Sequence, residues 1–122
     1  MPACRVLVVD DDADTLSMLE FLLRYFGFDV AAAGSGAQAL DLLSSRPADV
    51  VLTDMSMPGI DGVELTRRLR EDPRFRQIPI IVLSALPLLP ETLQGRVDAF
   101  LQKPVDLERL LAAIRQVRPV DD

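Results

Sequence analysis

The chain has no histidine in its 122 residues. That excludes a catalytic triad with a His base, a His-ligated metal and a phosphohistidine on this chain, so its chemistry must rest on carboxylates, hydroxyls and lysine. Cysteine occurs once, as Cys4; no internal disulfide can form, which agrees with a reducing compartment. Basic residues are the minority, with 13 Lys and Arg against 19 Asp and Glu and a net charge of −6. This argues against direct contact with nucleic acid, because phosphate binding needs clustered Lys and Arg. No apolar run approaches a membrane span. The opening Met1-Pro2-Ala3-Cys4-Arg5 lacks the charged and apolar regions of a signal peptide, so the cytoplasm is the expected location. There is no repeat, low-complexity tract or linker. A single domain over residues 1–122 is expected, long enough to bury a core but too short for two.

What is present is a set of short apolar runs that end in polar residues. The run Val50-Val51-Leu52-Thr53 stops at Asp54, and Pro58-Gly59 follows. Such a run reads as a strand buried on both faces, as in parallel sheets covered by helices. Val6 to Val9 is a β-branched run ending in Asp10-Asp11-Asp12. Asp29 to Ala33 is a weaker strand, Asp49 to Thr53 the third, Pro79 to Leu83 a fourth ending at Ser84, and Ala99 to Gln102 a fifth ending at Lys103-Pro104.

Helical spacing fills the gaps. Leu16, Leu19, Leu22, Leu23 and Phe26 recur every three or four residues, and Gly27 is a plausible stop. Ser35 can cap a second helix with Ala39, Leu40 and Leu43 inward. Pro47 closes that unit. Asp61-Gly62-Val63-Glu64 has capping-box spacing and opens a third helix, with Leu65 and Leu69 inward and Asp72-Pro73 at its end. Asp106 caps a last helix whose inner face is Leu107, Leu110, Leu111, Ile114 and Val117. The tail from Pro119 to Asp122 is expected to fray. Alternating strands and helices imply an α/β fold, a parallel sheet with helices on both faces.

One stretch breaks the pattern. Leu86-Pro87-Leu88-Leu89-Pro90 cannot be helix interior, because proline lacks the N–H and clashes with the preceding turn. The spacing predicts a fourth helix of one or two turns starting at Pro90 and stopped by Gly95, or no stable helix at all. Leu86, Leu88 and Leu89 are expected to cover the sheet edge that a short helix leaves open. The alternative is an exposed apolar patch for a partner or a second copy of the chain.

In a parallel sheet the polar strand ends share one edge: Asp10 and Asp11, Asp54, Ser84 and Lys103. In open α/β sheets ligands bind there. Clustered carboxylates repel one another, and a hard divalent cation relieves that. Mg²⁺, with its preference for carboxylates, a carbonyl and waters, suits the set better than zinc. A carboxylate nucleophile, Mg²⁺, a lysine and a hydroxyl form a kit for phosphoryl transfer. Each residue also has a plainer reading. The acidic triplet can cap the first helix, Asp54 and Lys103 can be solvated strand-end charges, and Ser84 can be a cap. Asp61 reads as a cap rather than a ligand, and Phe100, Met55 and Met57 as packing.

Together these residues resemble the receiver domain of two-component response regulators. Val8-Val9-Asp10-Asp11-Asp12, the run Thr53 to Gly62, Ser84-Ala85 and Lys103-Pro104 match that family's pattern in order over nearly the whole chain. The resemblance implies a flavodoxin-like, doubly wound, five-stranded sheet of order 2-1-3-4-5. It implies that Asp54 accepts a phosphoryl group from a histidine kinase or histidine phosphotransfer protein. Asp11, Asp54 and the backbone carbonyl of Ser56 would bind Mg²⁺, with Asp10 acting through water. Lys103 would contact the phosphoryl group, Ser84 would move to hydrogen-bond it, Phe100 would turn inward behind Ser84, and the Lys103–Pro104 bond would be cis. An output domain or target protein would read the switch, and a phosphorylation-dependent dimer is compatible with it. Three features depart from the pattern. The segment from Ser84 to Lys103 is short and holds two prolines, the switch aromatic is Phe100 rather than tyrosine, and Val105 stands where an aromatic is common.

Rival readings remain at this point. One is a receiver that is never phosphorylated and only docks. Another is a Mg²⁺-dependent phosphatase with an aspartyl-phosphate nucleophile, although Ser56 occupies the place where such enzymes want a second acid. A flavin-binding protein of the same topology is more distant, since Asp10-Asp11-Asp12 would repel the flavin phosphate.

Overall fold

The computed structural model describes residues 3–119, so most of the tail expected to fray, residues 120–122, lies outside the described residues. The elements alternate as the spacing predicts. They are β1 (Arg5–Val9), α1 (Ala13–Tyr25), β2 (Asp29–Ala33), α2 (Gly36–Ser45), β3 (Val50–Asp54), α3 (Gly62–Glu71), β4 (Ile80–Ser84), β5 (Ala99–Gln102) and α4 (Leu107–Val117). The strands form one sheet in the order β2-β1-β3-β4-β5, and every adjacent pair is parallel. This is the flavodoxin-like α/β architecture expected.

The pleat sends alternate residues to opposite faces, and both faces are dry. Leu7, Val9, Val51, Ile80 and Val82 point to one side, where they meet Ala39 and Leu43 of α2 and Leu65 and Leu69 of α3. Val6, Val8, Val50, Leu52, Ile81 and Leu83 point to the other, where they meet Leu19 and Leu23 of α1 and Leu110, Leu111 and Ile114 of α4. The three central strands therefore read as unbroken apolar runs, because neither face sees water.

Local chemistry sets the helix ends. Ser35 accepts from the Gln38 N–H and Asp106 from the Glu108 N–H. Asp61 accepts from the Glu64 N–H. Only half of the expected capping box forms, because the Glu64 carboxylate pairs with Arg67 and Arg68 instead of returning to the cap. Gly27 ends the turn after α1 with a φ of 94°. Phe26, the last of the apolar residues recurring at helical spacing, is the residue that closes the helix and is exposed.

The fourth connection is short and irregular, as expected, and contains only a 3-10 turn at Glu91–Leu93. Pro90 caps that turn rather than sitting inside it. The apolar residues split in a way the sequence reading did not anticipate. Leu93 is fully buried and Leu89 packs on the same core cluster, but Leu86 and Leu88 stand in solvent. The expectation that all three leucines would cover the sheet edge is therefore wrong for two of them. The chain bends over residues 85–88 with Leu86 and Leu88 outward, and only the stretch from Leu89 to Leu93 packs on the core. Arg70 of α3 braces the returning chain. Its guanidinium donates to the carbonyls of Arg96, Arg76 and Ile78 and pairs with Asp98, whose carboxylate also takes the Ile80 N–H.

Candidate functional site

β1 and β3 lie side by side with Val9 opposite Thr53, so Asp10, just after β1, and Asp54, the last residue of β3, emerge together. The carboxylates of Asp10, Asp11 and Asp54 each offer an oxygen within 4.8 Å of the others. Asp10 and Asp54 are buried, and Asp11 is exposed at the mouth. Asp12 takes a different part. It occupies the N-cap of α1 and accepts from the Thr15 hydroxyl, while its own N–H donates to Asp10. The acidic triplet thus divides: Asp12 stands at the helix start with its carboxylate on the Thr15 hydroxyl, while Asp10 and Asp11 face the pocket.

β5 delivers the cation. Lys103 follows Gln102, and its Nζ lies 3.2 Å from Asp54 Oδ1 and 3.6 Å from Asp10 Oδ2. The Lys103 N–H donates to the Ser84 carbonyl at 2.7 Å, which ties the lysine backbone to the end of β4. The Lys103–Pro104 bond is cis. Ser84 is buried, and its Oγ accepts from the Leu86 N–H at 3.0 Å. It therefore sits at the same edge with its own hydroxyl proton uncommitted; it shapes the start of a loop and caps no helix, so its plainer reading as a cap does not hold. Phe100 is half-buried and packs on the core cluster of the sheet face that α2 and α3 cover. Ser56 is exposed, and Met55 and Met57 are buried packing residues.

The charges are poorly solvated. Burial pushes the Asp54 carboxyl above the ordinary carboxylate range; the Lys103 ammonium offsets this in part and the Asp10 charge adds to it. For Lys103 burial works the other way, but hydrogen bonds and charge from Asp54 and Asp10 outweigh it and hold the ammonium above its usual pKa. Asp10 Oδ2 is buried without a hydrogen-bond partner. An orphaned carboxylate oxygen beside two more carboxylates fits a small hard cation with oxygen ligands.

Two contributors escaped the sequence reading. The buried Thr53 hydroxyl donates to the Asp54 carbonyl at 2.9 Å. Gly62 lies so close to the Asp54 carbonyl that a Cβ there would stand 2.6 Å from it. Its position directly after the cap Asp61 was the available signal.

A five-stranded sheet in this order, with acids and a lysine at its carboxyl edge, defines a phosphorylation-type signalling module, and the comparisons agree. A family model described as the response regulator receiver domain matches residues 6–115, and the chain belongs to that family. Among curated relatives, it is 38% identical to the DNA-binding response regulator MtrA of Mycolicibacterium paratuberculosis, over 97% of this chain and 53% of that protein. It is 33% identical to the DNA-binding dual master transcriptional regulator RpaA of Synechocystis, over 91% of this chain and 47% of that one. The chain therefore spans about half the length of these relatives. Among solved structures, the chemotaxis response regulator CheY4 of Vibrio cholerae superposes with a TM-score of 0.85 at 29% identity, covering 95% of this chain and 99% of that one. A sensor protein from Polaromonas gives 0.84 at 34% identity, covering 95% and 96%.

Proposed function

We propose that Asp54 is the phosphoacceptor of this receiver domain and takes its phosphoryl group from a phosphohistidine on a histidine kinase or histidine phosphotransfer protein. The observation that carries this is the convergence of Asp10, Asp11 and Asp54 beside Lys103. A carboxylate oxygen of Asp54 attacks phosphorus, the P–N bond to the donor imidazole breaks, and that nitrogen leaves with the electron pair. Asp54 is oriented for this by the lysine and by the Thr53 and Gly62 contacts behind it. Lys103 then exchanges its carboxylate partner for a phosphoryl oxygen, which carries more negative charge than the carboxylate it replaces. Ser84 turns its free hydroxyl proton to a second oxygen, and Phe100 follows into the space behind it.

Asp11, Asp54 and the Ser56 carbonyl would hold Mg²⁺, with Asp10 acting through water. When bound, the ion neutralises charge on the transferring group and on the acids. The domain catalyses only its own phosphorylation and dephosphorylation and serves an output domain or target protein. DNA binding belongs to the names of relatives about twice as long; a net charge of −6 leaves such contact to other segments or partners. Among the described residues no helix is long and apolar enough to cross a membrane, and the cytoplasm is the proposed location.

The test is intact mass after incubation with a small acyl phosphate, with and without Mg²⁺. A Mg²⁺-dependent gain of one phosphoryl group, lost in Asp54→Ala, is expected. Steady phosphate release from many esters would favour a phosphatase instead. No gain under any condition would favour a docking receiver.

A further inference from the structure

The loop that carries Ser56 is wedged between α2 and β3, and both contacts are made where a glycine leaves room. The buried stripe of α2 runs Gly36, Ala39, Leu43. Its side chains shrink toward the carboxyl edge of the sheet, so the helix can come closest to its neighbours there. A Cβ on Gly36 would stand 2.6 Å from the Ile60 carbonyl oxygen and 2.7 Å from the Ile60 Cβ and Cγ2. Ile60 is half-buried and packs on the core cluster that α2 and α3 share. Gly62 lies against β3 on the other side, where a Cβ would stand 2.7 Å from the Met55 Cα. The Gly62 N–H donates to the Met55 carbonyl at 2.8 Å, and the Met55 N–H to the Leu83 carbonyl at 2.8 Å, which closes the loop over residues 56–61. The start of α2 is itself stiff. Ser35 accepts from the Gln38 N–H, and the Gln38 side chain accepts from the Gly34 N–H at 2.7 Å.

We infer that Gly36 is a positioning residue for the Mg²⁺ site: its contact with Ile60 clamps the β3–α3 loop from outside and so fixes the Ser56 carbonyl beside Asp54. This rests on the ligand set proposed above. Mg²⁺ demands near-ideal octahedral geometry, so a carbonyl ligand offered by a loop serves well only if the loop is held before the ion arrives. This loop has no slack. Ile60 bears on α2 and Gly62 on β3, and the one residue between them, Asp61, is committed to the α3 cap. A methyl group added at Gly36 meets a backbone carbonyl, which cannot swing aside as the end of a side chain could, so the loop or the helix must shift. A shift of Ile60 carries Gly62 with it, and the Gly62–Met55 hydrogen bond passes it to the residue just before Ser56. Asp10 and Asp11 follow β1 and stay where they are. One ligand of the set is therefore misplaced, and the loss of Mg²⁺ affinity is partial.

Titration of the full chain with MgCl₂, followed through its backbone amide resonances, tests this. Gly36→Ala should raise the Mg²⁺ dissociation constant about 10-fold, the usual scale for losing a group that orients a metal ligand. In chelator the amides of residues 56–60 should exchange faster than in the wild type. Phosphoryl gain from an acyl phosphate should slow at low Mg²⁺ and recover once Mg²⁺ is raised in proportion. Ile60→Ala removes the contact from the loop side without adding an atom; it should shift the constant the same way by less, and it decides the matter if Gly36→Ala does not fold. Leu43→Val, on the same stripe of α2 but away from the loop, should lower the melting temperature and leave Mg²⁺ affinity unchanged. A folded Gly36→Ala, or failing that an Ile60→Ala, that binds Mg²⁺ like the wild type overturns the inference alone. So does a Leu43→Val that weakens binding as much as Gly36→Ala. A wild type whose amides around Asp10, Asp11 and Asp54 ignore Mg²⁺ removes the ligand set itself, and the inference with it.

Discussion

At the scale of single residues, the acids were legible because each ends an apolar run, and a buried strand cannot continue through a charge. Their division of labour was not legible. Nothing in Asp10-Asp11-Asp12 says that the third turns to the first turn of α1 while the first two turn to the pocket; that depends on the Thr15 hydroxyl and on β3 alongside. Burial raises the Asp54 pKa, so the folded protein holds that proton more tightly than the unfolded chain. Stability therefore falls as pH rises from the unfolded carboxylate range through the folded value. Asp54→Asn removes this loss. In chelator the variant should be more stable than the wild type at pH 7 by about 1 kcal/mol, as measured by urea unfolding. The advantage should vanish in acid, below the unfolded carboxylate range. A wild type as stable as the variant at pH 7 would show that the Lys103 pair outweighs the burial.

At the scale of elements, periodicity identified every α-helix and strand. It did not decide which stripe of α1 faces inward. α1 is apolar on two sides, and spacing of three and four fits both, so the periodic set runs on to the exposed Phe26 and does not separate it from the buried Leu19 and Leu23. The β4–β5 segment was legible only as a negative, since two prolines forbid a helix. What secures it instead is Arg70, a residue of α3 distant in sequence from the strand start it holds. Arg70→Ala should cost about 2 kcal/mol, the net loss of several charge-assisted hydrogen bonds partly replaced by water. Hydrogen exchange should quicken at residues 96–98 before it does elsewhere. Arg70→Lys should recover little, because an ammonium cannot span three carbonyls and a carboxylate as a planar fork does.

At the scale of the whole molecule, the topology puts the carboxyl ends of β1, β3, β4 and β5 on one edge, and this brings together residues as far apart in sequence as Asp10 and Lys103. That gathering was foreseeable once the strands were taken as parallel. How the core is shared among the leucines after β4 was not, because burial there depends on where the loop folds back. The difference is measurable. Leu93→Ala should cost about 2–4 kcal/mol by opening a cavity under the 3-10 turn. Leu88→Ser should stay within about 0.5 kcal/mol, as for a surface site. Equal losses in thermal unfolding would mean that the loop closes over Leu88 in solution.

β5 has a neighbour on one side only. An outermost strand exposes unpaired amides and carbonyls, an invitation to runaway cross-β stacking between molecules, and short length and flanking charge or proline discourage it. This strand has four residues, with Asp98 just before it and Lys103-Pro104 just after. Pro104, exposed and without an amide hydrogen to donate, closes that edge, so its substitution should be judged by solubility as well as by signalling.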